Sequence, residues 1–307
     1  MSNGLSEQPP AEKAAPVPQV PAVVGAVLIA LLLALMYWRS SRLMYGNWTL
    51  IDSYYSHGFL ILPISLFLAW RKRREILKTP VAPTFWGYPF VLGAVALLLA
   101  GDFFGFSVFG QLSIVPMLVG LCLVLLGKGH FKILWFPLAF LLFMIPIPAS
   151  MTQSIALNLK LFATECAVLA AQALTLPIIR EGSFVHFGND HLLIGEVCGG
   201  LRSLIALFAI GALMAYFSKS RLWARFLILV CSGPIAVIAN VFRILTLCVV
   251  GYFWGSRVAA GTFHDVSGLF IFAVAFFLFF CLEALVRRLA PASPSTDSAS
   301  QSTGGPS

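Results

Sequence analysis

Residues 223–250 read WARFLILVCSGPIAVIANVFRILTLCVV, a run in which Arg225, Asn240 and Arg243 are the only charged or carboxamide side chains. A stretch this long and this apolar reads as a membrane-crossing α-helix, because about 20 apolar residues span the hydrocarbon layer. Its arginines set the frame. Arg225 stands at the start, whereas Arg243 lies 20 residues beyond Trp223, roughly 30 Å along a helix rising 1.5 Å per residue. That depth places Arg243 near the far membrane boundary. Asn240, three residues earlier, shares its face of the helix. An arginine in an apolar run is costly, about 2.5–3.5 kcal/mol at a helix centre. A snorkelling side chain would explain Arg243 alone, but the neighbouring asparagine favours a polar site facing the protein.

The rest of the chain agrees with a membrane setting. Of 307 residues, 59% are hydrophobic and only 10% charged, and the mean hydropathy is +0.92. A soluble domain carries roughly 45–50% apolar and about 25% charged residues. Net charge is +8 and the pI near 9.4, yet so few charges exclude a nucleic-acid-binding module. The fold class expected is therefore an all-α polytopic membrane protein of about eight transmembrane helices. The candidate spans are residues 20–38, 58–70, 85–101, 107–127, 133–147, 203–217, 223–250 and 266–285. Residues 1–19 and 290–307 are polar and rich in small residues and proline, and read as disordered cytoplasmic tails around one membrane domain at 20–289. No internal repeat is visible.

Lysine and arginine mark cytoplasmic loops. Arg71-Lys72-Arg73-Arg74 with Lys78, Lys128 with Lys132, Lys219 with Arg221 and Arg225, and Arg287-Arg288 mark four inner ends. With eight crossings both termini fall inside, and the inner face holds 13 Lys/Arg against 5 Asp/Glu, the outer 7 against 7. The whole excess of positive charge then lies on one side. A ninth apolar stretch, residues 154–178, is broken by Asn158, Lys160, Glu165 and Gln172. On this topology it must lie in the interface or re-enter without crossing. Residues 183–187 and 192–194 are β-prone and flank Gly188-Asn189-Asp190, so a small outer β-hairpin is expected to cap the bundle.

Cys122, Cys231, Cys248 and Cys281 lie in apolar helices and Cys166 on the broken stretch; all read as small packing residues. Cys198 differs. It stands in Glu196-Val197-Cys198-Gly199-Gly200-Leu201-Arg202-Ser203 at the outer mouth of a helix. Gly199 and Gly200 permit a tight turn beside the sulfur, while the helix N-terminus and Arg202 both favour thiolate over thiol. A third group, His264, lies in the outer loop before the last helix. Cysteine, imidazole and guanidinium at one membrane level make a set for acyl transfer: a nucleophile, a proton carrier and an oxyanion partner. His186, His191 and Asp190 are too loosely spaced for a zinc site. No metal or cofactor is expected.

The blocks Glu196-Val197-Cys198-Gly199-Gly200-Leu201-Arg202-Ser203-Leu204 and Asn240-Val241-Phe242-Arg243-Ile244, followed by His264, resemble the signature of the exosortase/archaeosortase family. Tyr55-Ser56-His57-Gly58 resembles a block near the start of those proteins. The likeness spans residues 55–285; Gly199 stands where the family often has serine. Histidine at 264, where archaeal relatives tend to carry arginine, points to the bacterial branch. The resemblance implies a membrane cysteine protease/transpeptidase of the bacterial inner membrane, with its active site facing the periplasm. Cys198 would be the nucleophile, completed by Arg243 and His264, with Arg202, Asn240, Gly199, Gly200 and His57 in support. It also implies the partners: exported proteins bearing a C-terminal sorting tail, made of a Pro-Glu-Pro-type motif, a transmembrane helix and a basic cluster, together with membrane lipids and no nucleic acid. Two rival classes stay open on the residues alone: a transporter or channel, since intramembrane arginine also lines substrate paths, and a polysaccharide-export assembly factor in which Cys198 is structural.

Overall fold

A computed structural model describes residues 19–289 apart from 51–52, 188–189 and 196–199; within that range the side chains of residues 19–23, 262, 264, 265 and 289 are not described. Both expected tails lie outside the described residues, as do the Gly188-Asn189 turn and Cys198 with its neighbours Glu196, Val197 and Gly199.

The chain is a multi-pass helical membrane protein. Its longest element, α11 (Leu222–Trp254), is the apolar run that opened the reading, extended at both ends to 33 residues. It is the hub, packing against α10 (Leu201–Phe217), α13 (Thr262–Leu289) and α9 (Ala149–Ala173). Small residues let it approach α10 closely: Gly211 sits directly on Ser232, where any side chain would collide. In a bilayer, where lipid is as apolar as leucine, such backbone proximity is what holds helices together. The same helix keeps Ser232 satisfied by donating its hydroxyl to the Ile228 carbonyl at 3.0 Å.

Helix α3 (Gly58–Arg71) packs on α8 (Lys128–Phe140), where Ser65 donates to the Pro137 carbonyl at 2.7 Å. Helix α4 (Arg73–Lys78) continues the basic segment. Helix α1 (Gln19–Met36) is followed by α2 (Trp38–Thr49) with a 64° bend between them. Helices α5 (Tyr88–Phe104), α6 (Ser107–Leu112) and α7 (Ile114–Leu121) complete this half, with Tyr37, Ala94, Leu98 and Met117 forming its core. Many large apolar side chains, such as Leu31, Leu66, Leu92 and Phe277, point outward. In water that would be untenable; facing lipid it is required.

Among the described residues five helices are long and apolar enough to cross a membrane, or six if α1 and α2 count as one bent span. Two shorter apolar helices, α3 and α10, come in addition. The expected figure of about eight is therefore approximate. Helix α9 is one of the five by length and composition, but its ends are tied to the same end of the bundle. At its start, the Ile147 amide donates to the Tyr55 hydroxyl at 3.0 Å, beside the beginning of α3. Its second half packs on Ile244, Leu247 and Cys248, near the end of α11. Two of the polar residues that break its apolarity meet partners: Glu165 pairs with Arg180 at 2.7 Å, and Gln172 donates to the Ile178 carbonyl at 2.8 Å.

The expected two-stranded cap is a three-stranded antiparallel sheet, β1 (Ile178–Glu181), β2 (Phe184–Phe187) and β3 (Asp190–Leu193). Strand β1 escaped the sequence reading because it follows α9 directly and carries Arg180 and Glu181 in only four residues. Ile178, Val185, Phe187, Leu192 and Ile194 bury one face of the sheet against α9 and α11. Asp190 ties the sheet to α12 (Ser256–Ala260), accepting from the Ser256 amide and hydroxyl, both at 2.8 Å. These interactions fix two ends of the molecule, a sheet end and a basic end. Helices α3 and α10 run in parallel between them: Arg71 stacks over Phe217 at the basic end, 5.2 Å from the ring centre.

Candidate active site

The sheet end is where the expected site residues gather. Gly200 has φ +80°, a left-handed conformation that glycine adopts without strain and other residues do not. It is also packed: a Cβ built there would lie 2.5 Å from Nδ2 of Asn240 and 3.0 Å from its Oδ1. The asparagine side chain thus rests on the backbone of Gly200, where α10 is entered. Because Gly200 follows Cys198 by two residues, the two Cα atoms are within about 7.6 Å in any conformation.

Asn240 is 1% exposed, and neither its amide nitrogen nor its oxygen has a hydrogen-bond partner among the described residues. An unpaired buried amide typically costs about 1–3 kcal/mol per group, and native structures tolerate few without a reason. One turn further along α11, Arg243 is 5% exposed and donates from Nε to the Ser267 hydroxyl at 3.0 Å. Ser267 is itself buried, on α13. Its backbone is three residues beyond His264, whose main chain lies in the opening turn of that helix. So α11 holds two neighbouring segments at once. Asn240 touches the entry to α10, and Arg243 grips the first turns of α13.

A fourth element joins them. His57 lies in the turn before α3, its ring 5.9 Å from that of Tyr55. Burial holds its imidazole pKa below the ordinary 6.5; the Phe143 backbone pulls upward, and the positive charge of Arg202 pushes further down. Neither ring nitrogen has a hydrogen bond of good geometry. Arg202, in the first turn of α10, is close enough to act on His57 electrostatically.

Gly200, Arg202, Asn240, Arg243 and His57 are thus brought to one end of the bundle. Cys198 and Gly199 lie outside the described residues, and for His264 only the backbone position is given. Sequence reasoning missed Ser267, although its place one turn after His264 and its polarity in an apolar helix were available signals. The other cysteines, Cys122, Cys166, Cys231, Cys248 and Cys281, are free thiols within helices. His186 and His191 face each other across β2 and β3 with ring centres 6.0 Å apart, and His186 lies 3.5 Å from Glu181. Asp190 is engaged with Ser256 and does not join them. Among the described residues no three His, Cys, Asp or Glu side chains converge as a metal site would need.

Comparison with known proteins adds one finding. The family model described as transmembrane exosortase (Exosortase_EpsH) matches residues 38–281, from the start of α2 to the last turns of α13. No curated protein and no solved structure matches the chain.

Proposed function

The chain belongs to the transmembrane exosortase family, and from that premise we propose that it is a membrane cysteine peptidase/transpeptidase built on Cys198. The observation that carries this reading is the double attachment of α11. Asn240 sits on Gly200, two residues beyond Cys198 in the chain, and Arg243 is bound to the helix whose first turn holds the His264 backbone.

In the proposed reaction the Cys198 thiolate attacks the scissile carbonyl, forming a carbon–sulfur bond and placing negative charge on the carbonyl oxygen. Arg243 and the unpartnered Nδ2 of Asn240 stabilise that oxyanion in a site that excludes water. His264 takes the thiol proton and returns it to the leaving amine as the carbon–nitrogen bond breaks. Water or an acceptor amine then attacks the thioester and regenerates the thiol. Arg202 lowers the cost of the thiolate by its charge.

The basic loops at one end favour that end being cytoplasmic, so the sheet end faces the periplasmic side of the inner membrane. A nucleophile fixed at that level reaches a peptide bond just outside a membrane anchor. This suits exported proteins that carry a motif, a transmembrane helix and a basic cluster at their C-terminus. The test is processing of a secreted reporter fused to such a tail. Wild type is expected to shorten it, Cys198→Ala to leave it full length, and His264→Ala to do nearly the same. A Cys198→Ala protein that cleaves like wild type would overturn the reading in favour of a non-enzymatic role.

A further inference from the structure

The basic end of the molecule takes no part in the proposed chemistry, yet it is built as one surface. Helix α4 packs against α8. The loop after α4 is pinned to the same place: Ala82 forms a β-bridge with Gly127, and its amide donates to the Leu126 carbonyl at 3.2 Å. Helix α10 joins from the other side. Arg71 stacks over Phe217, and Tyr216 stacks on Phe136 of α8 with ring centres 3.9 Å apart. Residues 71–84, 126–134 and 217–226 are thereby held together.

These three segments carry ten lysines and arginines and a single carboxylate, that of Glu75. Glu75 is already taken by Lys72 at 2.7 Å. Most of the positive charge is therefore not neutralised by the segments that bear it. The last turn of α13 differs, since Arg287 there is paired with Glu283 at 2.8 Å.

The cations are interleaved with exposed apolar side chains. Arg73 lies 4.1 Å over the Trp70 ring and Lys128 lies 5.5 Å over that of Trp86. Both indoles are exposed, and Leu77, in the middle of the basic helix α4, is 83% exposed. Tryptophan at the end of an apolar helix settles at headgroup depth. A soluble polyanion would satisfy the cations but leave Leu77 and the indoles in water. A phospholipid matches both, because its phosphate meets the guanidinium and ammonium groups while its acyl chains cover leucine and indole.

We propose that this surface binds anionic phospholipid, with Arg71, Arg73 and Lys128 contacting the headgroup phosphates. The test needs no cleavage, so its outcome is separate from the peptidase reading. The full-length protein in nonionic detergent, at about 150 mM salt to screen distant charges, would be offered dioleoylphosphatidylglycerol or dioleoylphosphatidylcholine. Bound lipid would be counted by native mass spectrometry. Wild type is expected to hold the anionic lipid about thirtyfold more tightly, the combined effect of two surface cations. Arg71→Gln with Arg73→Gln should bring the two lipids to within about twofold of each other. Arg287→Gln with Arg288→Gln removes equal charge at the same end and should keep a preference of at least about tenfold. A wild-type preference below about fivefold would overturn the proposal. So would equal losses in the two double variants, which would mean diffuse charge without a site. Displacement of the lipid by an equal concentration of inorganic phosphate would assign the surface to a soluble anion and overturn it as well. Should the first double variant fail to fold, Lys128→Gln decides: a fall of about fivefold is expected, and no fall would overturn the assignment.

Discussion

Helix α11 carries two arginines 18 residues apart, and their surroundings share little. Arg225 is half-buried in the first turn at the basic end, its Nε donating to the Ser220 carbonyl at 3.0 Å. There it does what a boundary arginine is expected to do, anchoring a helix where lipid meets water. Arg243 is buried among helices, bound to Ser267, one turn from an asparagine with no partner among the described residues. A guanidinium is expensive to bury, and an unpaired amide beside it adds to that cost. The contrast shows that residue type and host helix decide little by themselves; the polar neighbours that converge on a residue decide its role.

The largest expected effect is on Arg243. Arg243→Lys keeps the charge but loses the planar fork, so reporter cleavage should fall by about 100-fold or more, the scale for losing an oxyanion donor. The protein should still reach the membrane. Near-normal cleavage would make Arg243 a simple point charge and erase much of its contrast with Arg225.

Gly200→Ala comes next. The new Cβ would meet Asn240 at 2.5 Å on a backbone with φ +80°. A strained residue of this kind costs on the order of 1–3 kcal/mol, and cleavage should drop by roughly tenfold as the Cys198 segment shifts. Wild-type melting and turnover together would show that the contact with Asn240 is not what positions that segment.

Ser267→Ala removes the partner of Nε. It should destabilise by about 1.5–3 kcal/mol, the range for hydrogen bonds to charged groups, measured as a shift in the denaturation midpoint in detergent. Ser267→Thr, which keeps the hydroxyl, should recover most of it. Arg225→Ala, the matching change at the other end, should alter stability by no more than about 0.5 kcal/mol and leave turnover unchanged. A larger loss at Arg225 than at Ser267 would reverse the ranking of the two ends.

The smallest effect is one of pH. The Asp190 carboxyl is held below its ordinary value of 3.8, chiefly by the amide and hydroxyl of Ser256 and also by the His191 amide. Since the folded pKa is the lower one, this clasp is fully present above pH 3.8 and is lost as pH falls through the depressed value. Limited proteolysis between β3 and α12 should therefore accelerate only at acid pH in wild type. In Asp190→Asn that acid step should be missing. An identical pH profile in both proteins would show that the sheet is not tied down through this carboxylate.

Much of the architecture was legible before any coordinates. The apolar runs became helices and the basic clusters fell at one end; residues 154–178, expected not to cross, lie in a helix that is long and apolar enough to span a membrane. The site was legible in part. Asn240 and Arg243 were placed on one helix face by their spacing alone, and His57, Gly200 and Arg202 came from the resemblance and the texture of their segments. Ser267 was missed although its polarity gave a signal. A serine among apolar residues has many explanations, and only its partner, the buried Arg243, selects one.

What the sequence determined by itself, then, was the class of protein, the positions of its helices and the polar residues that an apolar chain must place with care. Hydropathy, helical periodicity and charge are properties of neighbours along the chain, so a linear reading captures them. Only the tertiary structure decided that β1 completes a sheet, that α2 bends away from α1, that Asn240 lies on Gly200, and that Arg243 meets Ser267. Each is a contact between segments distant in sequence. Its geometry depends on where helices cross and how small their facing residues are, and no local pattern in the chain encodes that.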